Sequence, residues 1–201
     1  MSDVVRCGWS TDDPLYVEYH DTEWGRPTTD PVRLFEKVCL EGFQSGLSWI
    51  TILRKRDAFR AAFAGFDPAV VADFDEADVE RLLGDAGIVR HRGKIEASIS
   101  NARRALELVE EEGSLVDWFW SWAVTEPHRD DGGIPSTTPR STALARELKR
   151  RGWRFVGPTT AYALMQSEGL TNDHEAGCAV RDECEAQRRE FLAGRALRPA
   201  P

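Results

Sequence analysis

Apolar side chains in this sequence recur at steps of three and four residues, and no segment shows the two-residue alternation of a half-buried strand. The pattern predicts an all-α fold. Asp30-Pro31, a capping residue followed by proline at the first helical position, opens a helix running to about Gly46. Its apolar stripe is Leu34, Phe35, Val38 and Gly42/Phe43, and Glu41 falls on that same stripe. Ser48 is placed to cap a second helix beginning at Trp49, and Asp67-Pro68 and Asp75 open two more, the latter ending near Gly84. Ile95, Ile99, Ala102, Leu106 and Val109 mark one face of a longer helix. Ser114 starts an aromatic segment whose Trp118, Trp120 and Trp122 are expected in the core. Residues 125–140, with three prolines and Gly132-Gly133, read as a surface loop. A helix through Leu144 and Leu148 stops at Gly152. The tail after Cys178 mixes arginine with acidic residues, ends Arg-Pro-Ala-Pro, and is expected to fray.

Composition changes this picture little. At 201 residues, 41% hydrophobic and 30% charged, the chain is long enough for a substantial core in one domain or in two small interleaved ones. The first residues have neither the basic start nor the apolar run of a signal peptide, and no stretch approaches transmembrane length. Four cysteines at distant, irregular spacings do not suggest a disulfide framework, and a cytoplasmic protein is expected. A net charge of −8 argues globally against a polyanionic partner. Its distribution weakens that argument. Residues 86–104 hold Arg90, Arg92, Lys94, Arg103 and Arg104 against Glu96, and residues 146–154 hold Arg146, Lys149, Arg150, Arg151 and Arg154 against Glu147. Solvated helix faces are the plainer explanation of either run alone.

Three constellations carry candidate chemistry. Cys7 and His20 near one end, with His174 and Cys178 near the other, make up two thiolates and two imidazoles, a complete tetrahedral shell for one structural zinc. His174 and Cys178, four apart, share a face if they lie on a helix, while a loop-like stretch separates Cys7 from His20. The competing explanation is two satisfied histidines and two small buried thiols. Next, Lys149 to Tyr162 reads as helix, tight turn, helix, with Gly152 and Gly157 bracketing the turn and Pro158 opening the new helix. A helix N-terminus behind a basic run binds phosphate well, so this is either a DNA-backbone clamp of helix-hairpin-helix type or a plain αα-hairpin. Finally, Trp9, Tyr16, Tyr19, Trp24 and Trp49 crowd the N-terminal third, and Glu41 lies eight residues before Trp49 across a glycine turn. A carboxylate among electron-rich rings is a receptor for a flat cation, although core packing explains the rings and an arginine partner would explain the carboxylate.

Several longer motifs go further. Cys7-Gly-Trp, Asp13-Pro-Leu-Tyr-x-x-Tyr-His-Asp-x-Glu-Trp-Gly, Leu40-Glu-Gly-Phe-Gln-Ser-Gly-Leu-Ser-Trp, Ala86-Gly-Ile-x-Arg-His-Arg-Gly-Lys-Ile and Asn172-Asp-His-x-x-Gly-Cys resemble those of 3-methyladenine DNA glycosylase I. The likeness runs from about Arg6 to Cys178. It implies a helix-hairpin-helix glycosylase-type bundle, one structural zinc held by Cys7, His20, His174 and Cys178, and excision of 3-methyladenine from double-stranded DNA. It also implies base recognition by Glu41, hydrogen bonding by Tyr19, stacking by Trp49, and further pocket positions at Tyr16 and Trp24. The expected organisation is a single catalytic unit over 1–201. A helical core spans 30–170 with the hairpin near 144–168, and 1–29 with 171–201 form a zinc-bearing terminal subdomain. Lys149, Arg150, Arg151, Arg154 and Gly157 are expected on the DNA backbone. Thr159 stands where bifunctional relatives carry a nucleophilic lysine, so no strand cleavage is expected. Asp173 lies near the superfamily's catalytic aspartate position but is given no role. Cys184 is unassigned, and the chain is expected to be monomeric and free of membrane. The rival is a non-catalytic, zinc-stapled module that binds damaged DNA; a zinc hydrolase of small molecules is disfavoured by the closed ligand shell.

Overall fold

The computed structural model describes residues 4–125 and 133–199. Among these are ten α-helices and no strand. In chain order they are α1 (Pro14–Thr22), α2 (Pro31–Gln44), α3 (Trp49–Ala62), α4 (Pro68–Ala72) and α5 (Glu76–Gly84). There follow α6 (Arg92–Glu112), α7 (Leu115–Trp120), α8 (Pro139–Arg150), α9 (Pro158–Ser167) and α10 (Arg181–Leu192). Of the loop expected over 125–140, residues 126–132 lie outside the described residues.

Short-range chemistry starts most of these helices. Asp30 and Asp67 each accept a backbone N–H two residues on, and Asp13 does the same ahead of Pro14. Asp75 forms a capping box with Asp78, and Ser114 accepts from the Asp117 amide. Ser48 differs from expectation: its hydroxyl meets Thr51 Oγ1 at 2.8 Å and makes no cap bond to the backbone.

Helix α2 is the axis of the molecule. Every residue from Leu34 to Phe43 is buried, and the helix packs against α3, α6, α7 and α9. That is why Glu41 is buried: α2 is enclosed on all sides, and a single apolar stripe understates it. Phe43 of this helix packs against Phe59 and Phe63, Phe63 stacks on Phe66, and Trp118, Trp120 and Trp122 are core residues as expected. On α6 the buried face runs through Ile95, Ile99, Ala102, Ala105 and Leu108, whereas Leu106 and Val109 are exposed. The inward face follows the helical period and slips by one residue from the predicted stripe.

Three local expectations are corrected. The stretch between Cys7 and His20 is not loop-like but a 3-10 turn followed by α1. The segment from His174 to Cys178 is not helical. Gly177 adopts a left-handed φ of 83°, and the Cys178 amide donates to Glu175 O in a turn. The chain beyond Cys178 forms α10 and then docks. Buried Arg188 donates to Gly169 O, Leu170 O and Val124 O, and Arg140 donates to Trp122 O, Ser121 O, Arg198 O and Pro199 O.

Candidate active site and metal centre

Cys7, His20, His174 and Cys178 are all buried, and one ligand atom from each lies within 4.8 Å of all the others. Cys7 Sγ is 3.4 Å from His174 Nδ1, and Cys178 Sγ is 3.5 Å from both His174 Nδ1 and His20 Nε2. A tetrahedral ion with bonds of ~2.0–2.3 Å to nitrogen and sulfur sets its donors roughly 3.4–3.8 Å apart, so this group has the dimensions to hold a metal. The outer contacts fit as well. His20 Nδ1 faces Asp21 Oδ1 at 2.8 Å, Arg6 clamps that carboxylate at 2.8–3.0 Å, and His174 Nε2 meets Trp24 O at 3.2 Å. Each imidazole thus turns one nitrogen inward and satisfies the other. A side chain at Gly25 would bring Cβ within 2.8 Å of His174 Nε2, which explains the glycine after Trp24. Cys184 is buried below Gly25, 4.0 Å from Trp24 O, and stands outside the cluster.

Beside this centre is a cavity of ≈ 270 Å³. Tyr16 and Tyr19 project into it from α1, Glu41 and Gln44 from the end of α2, Trp49 from the start of α3, and Ala163 and Gln166 from α9, with Trp9 and Trp24 completing an aromatic wall. All five aromatic and acidic pocket residues named from the sequence are therefore brought together. Trp9 packs edge-on against Trp24 (4.9 Å) and Tyr16 (5.4 Å), and Tyr19 lies 5.5 Å from Trp49. Glu41 is 4% exposed, and burial raises its carboxyl above the ordinary value while Lys37 pulls it back. Lys37 was missed. Its Nζ lies 3.3 Å from Glu41 Oε1, and the four-residue spacing of the two on one helix was the available signal. The Lys37 ammonium is itself pushed down by burial. Asp173 is fully engaged, accepting from Tyr162 (2.6 Å), Gln166 (2.9 Å) and Thr171 (3.0 Å). It buttresses the segment that carries His174.

Helices α8 and α9 form the expected hairpin. Gly152 takes a φ of 83° to make the turn, and Asn101 of α6 grips it by exchanging two hydrogen bonds with the Arg154 backbone (2.8 and 3.0 Å). Gly157 provides no side-chain cap for α9, and Pro158 follows it, so the first amides of that helix are open to an anion. The basic residues are not equivalent. Lys149 and Arg154 are exposed, with no ion pair among the described residues. Arg150 pairs with Glu147 at 2.6 Å, and Arg151 pairs with Glu147 and Glu111, contacts Glu112 and lies over Trp118. The other basic run, 86–104, is largely spent internally: Lys94 donates to Phe43 O and Ser45 O at the end of α2, Arg103 to Ala72 O, and Arg92 pairs with Glu76.

The chain resembles known proteins over most of its length. A methyladenine glycosylase family model matches residues 9–182. The chain is 52% identical to DNA-3-methyladenine glycosylase 1 of Escherichia coli (strain K12), over 87% of this chain and 96% of that protein. It is 43% identical to the DNA-3-methyladenine glycosylase of Haemophilus influenzae, over 89% and 98%. A crystal structure of 3-methyladenine DNA glycosylase I superposes with a TM-score of 0.82 at 52% identity, covering 87% of this chain and 98% of that one. A Staphylococcus aureus 3-methyladenine DNA glycosylase I, solved for the structural basis of 3-methyladenine recognition, gives 0.82 at 34% identity, covering 89% and 97%. On these matches, which span nearly its whole length, the chain belongs to the methyladenine glycosylase family.

Proposed function

We propose that this chain removes 3-methyladenine from alkylated double-stranded DNA as a monofunctional glycosylase, with Glu41 at the centre of a cationic-base pocket. Family membership makes it a hydrolase acting on N-glycosyl bonds. The observation that carries the site assignment is one buried carboxylate set among Tyr16, Tyr19, Trp24 and Trp49. A base must leave the stack to reach such a cavity, at a cost of a few kcal/mol. Trp49 then stacks on it, while Glu41 and Tyr19 hydrogen-bond its edge. Adenine methylated at N3 carries a positive charge in DNA. When the bond from C1′ to the base breaks, its electron pair stays on the base and neutralises that charge. No general acid is required. Water adds to C1′, gives up a proton to solvent and leaves an abasic site. Glu41 serves both by holding the cation and by stabilising positive charge developing on the sugar.

The four-residue Cys/His group fits one structural zinc, with Cys7, His20, His174 and Cys178 as its complete shell. Such an ion closes the terminal segments onto each other and takes no part in the reaction. Lys149, Arg154 and the open α9 N-terminus at Gly157 serve as the sequence-independent backbone contact of a helix-hairpin-helix, with Arg150 and Arg151 orienting the hairpin through Glu147. No helix of the described residues is long and apolar enough to cross a membrane. We read the chain as a single, monomeric catalytic unit, and its thiol ligands suit a reducing cytoplasm. Incubation with methylated duplex DNA and chromatography of the supernatant should detect free 3-methyladenine. Binding of that duplex without any released base would favour the non-catalytic binder instead.

A further inference from the structure

The Lys37 ammonium reaches the groups proposed to hold the base from behind the base pocket, which it does not line. Its Nζ is 3.3 Å from Glu41 Oε1, donates to Tyr19 Oη at 2.5 Å, and sits 3.6 Å from the centroid of Trp49 and 4.7 Å from that of Tyr19. These are the three groups proposed to hold the flipped base. A resident cation in a cation receptor opposes a second one, because two positive charges sharing one desolvated carboxylate repel strongly.

A second cavity, of ≈ 250 Å³, adjoins the first and shares Tyr19 and Trp49 with it. Lys37 lines this second cavity, together with Glu23, Glu36 and Glu168. Glu23 is bound by Arg56 at 2.6 and 2.8 Å, and Glu36 by Arg60 at 2.9 Å and Arg33 at 3.2 Å. Glu168 is different. It is 8% exposed, and its carboxyl has no hydrogen bond or ion pair among the described residues. Burial pushes it up to about 8, and Lys37 is the neighbour that draws it down. A carboxyl largely withdrawn from water and without a partner favours its neutral form, and a lysine on the same cavity is within its electrostatic reach.

We propose that Lys37 and Glu168 are a charge-exchange pair behind the base pocket: the ammonium neutralises Glu41 when the pocket is empty and turns to Glu168 when a cationic base pairs with Glu41 from the pocket side. This rests on the base-pocket assignment above. With the pocket empty Glu168 is held protonated by burial; when Lys37 turns to it, the carboxyl gives its proton to solvent and becomes the counter-ion, while Glu41 passes from Lys37 to the base, so neither state leaves a buried charge uncompensated. The flexible lysine stem makes the movement through the second cavity without disturbing α2. A neutral base does not displace the ammonium. The pair therefore selects for charge, and both members are positioning residues that act through Glu41.

Two probes of similar shape separate the possibilities in tryptophan-fluorescence titrations of the full chain at pH 8. One is 3,9-dimethyladeninium, which has a fixed positive charge and a methyl group in place of the sugar. The other is free 3-methyladenine, which is neutral. Glu168→Gln is expected to weaken binding of the cation about tenfold, within the usual range for coupled sites, and to leave the neutral base within about twofold. Lys37→Met is expected to tighten the cation relative to the neutral base, and Glu168→Gln added to it should change that ratio no further. An equal effect of Glu168→Gln on both probes, or a full effect persisting in Lys37→Met, overturns the exchange. Should Lys37→Met fail to fold, the split between probes in Glu168→Gln decides alone. Glu41→Gln and Trp49→Ala serve as controls. If neither weakens either probe, the pocket assignment fails and the exchange falls with it; if both weaken binding but Glu168→Gln shows no split, the exchange alone is wrong.

Discussion

Glu41 combines features that a purely structural carboxylate does not need: near-complete burial, an aromatic surround and a cavity in front of it. Glu41→Gln keeps its volume and removes its charge. Release of 3-methyladenine from DNA is expected to fall by at least about tenfold, with the melting temperature little changed. Normal release in Glu41→Gln would take the charge out of the mechanism. Trp49→Ala should weaken base binding by roughly 1–3 kcal/mol through lost stacking. The acid limb of the activity gives an independent check. Burial raises the Glu41 carboxyl above its ordinary 4.5 and Lys37 lowers it. If the ionised form holds the cation, as proposed, activity is lost as pH falls through that raised value. Lys37→Met removes the lowering influence, so the limb should move to still higher pH in a pH–rate profile. A limb that does not move would mean that Lys37 does not govern Glu41.

Among the elements, the hairpin shows how identical residue types part company. Lys149 and Arg154 are exposed and unpaired among the described residues, whereas Arg151 is enclosed by Glu111, Glu112 and Glu147. Lys149→Ala and Arg154→Ala should each weaken binding to every duplex alike and reduce the slope of log K against log salt by about one. Arg151→Ala should instead lower stability, because it strands acidic groups between α6 and α8. Filter binding across a salt series, alongside thermal melts, distinguishes the two effects. Salt-insensitive binding would remove the hairpin from the interface. The same partition runs through the other basic run, where Lys94 and Arg103 terminate α2 and α4 by binding their last carbonyls.

At the scale of the whole molecule, the termini are joined through Cys7, His20, His174 and Cys178, reinforced by the docking of α10 through Arg188. Metal analysis should find about one zinc per chain that survives dialysis. Cys178→Ser should lose it and lower the melting temperature, at about 2–4 °C per kcal/mol for a chain of this length, while leaving pocket contacts largely intact. Protein from zinc-replete cells with no metal would refute the site. The sequence by itself determined the helical class and most helix starts, and it singled out the four residues that meet in the Cys/His cluster, together with Glu41 and the aromatic residues that share its cavity. Those signals are local: Asp-Pro caps act within one turn, and the period of apolar residues states which face is inward. Tertiary structure decided the rest. It showed that His174 and Cys178 meet through a glycine turn and not along a helix, that the C-terminal segment is ordered and docked, and that α2 is enclosed on every side. It also assigned the charges their partners: Lys37 to Glu41, Arg151 to three glutamates, and Glu168 to none. Composition cannot reveal such pairings, because a charge interacts with whatever the fold brings within a few ångströms: Glu111 and Glu112 come to Arg151 from a distant helix, and even the local Lys37–Glu41 spacing does not say which neighbour each charge takes.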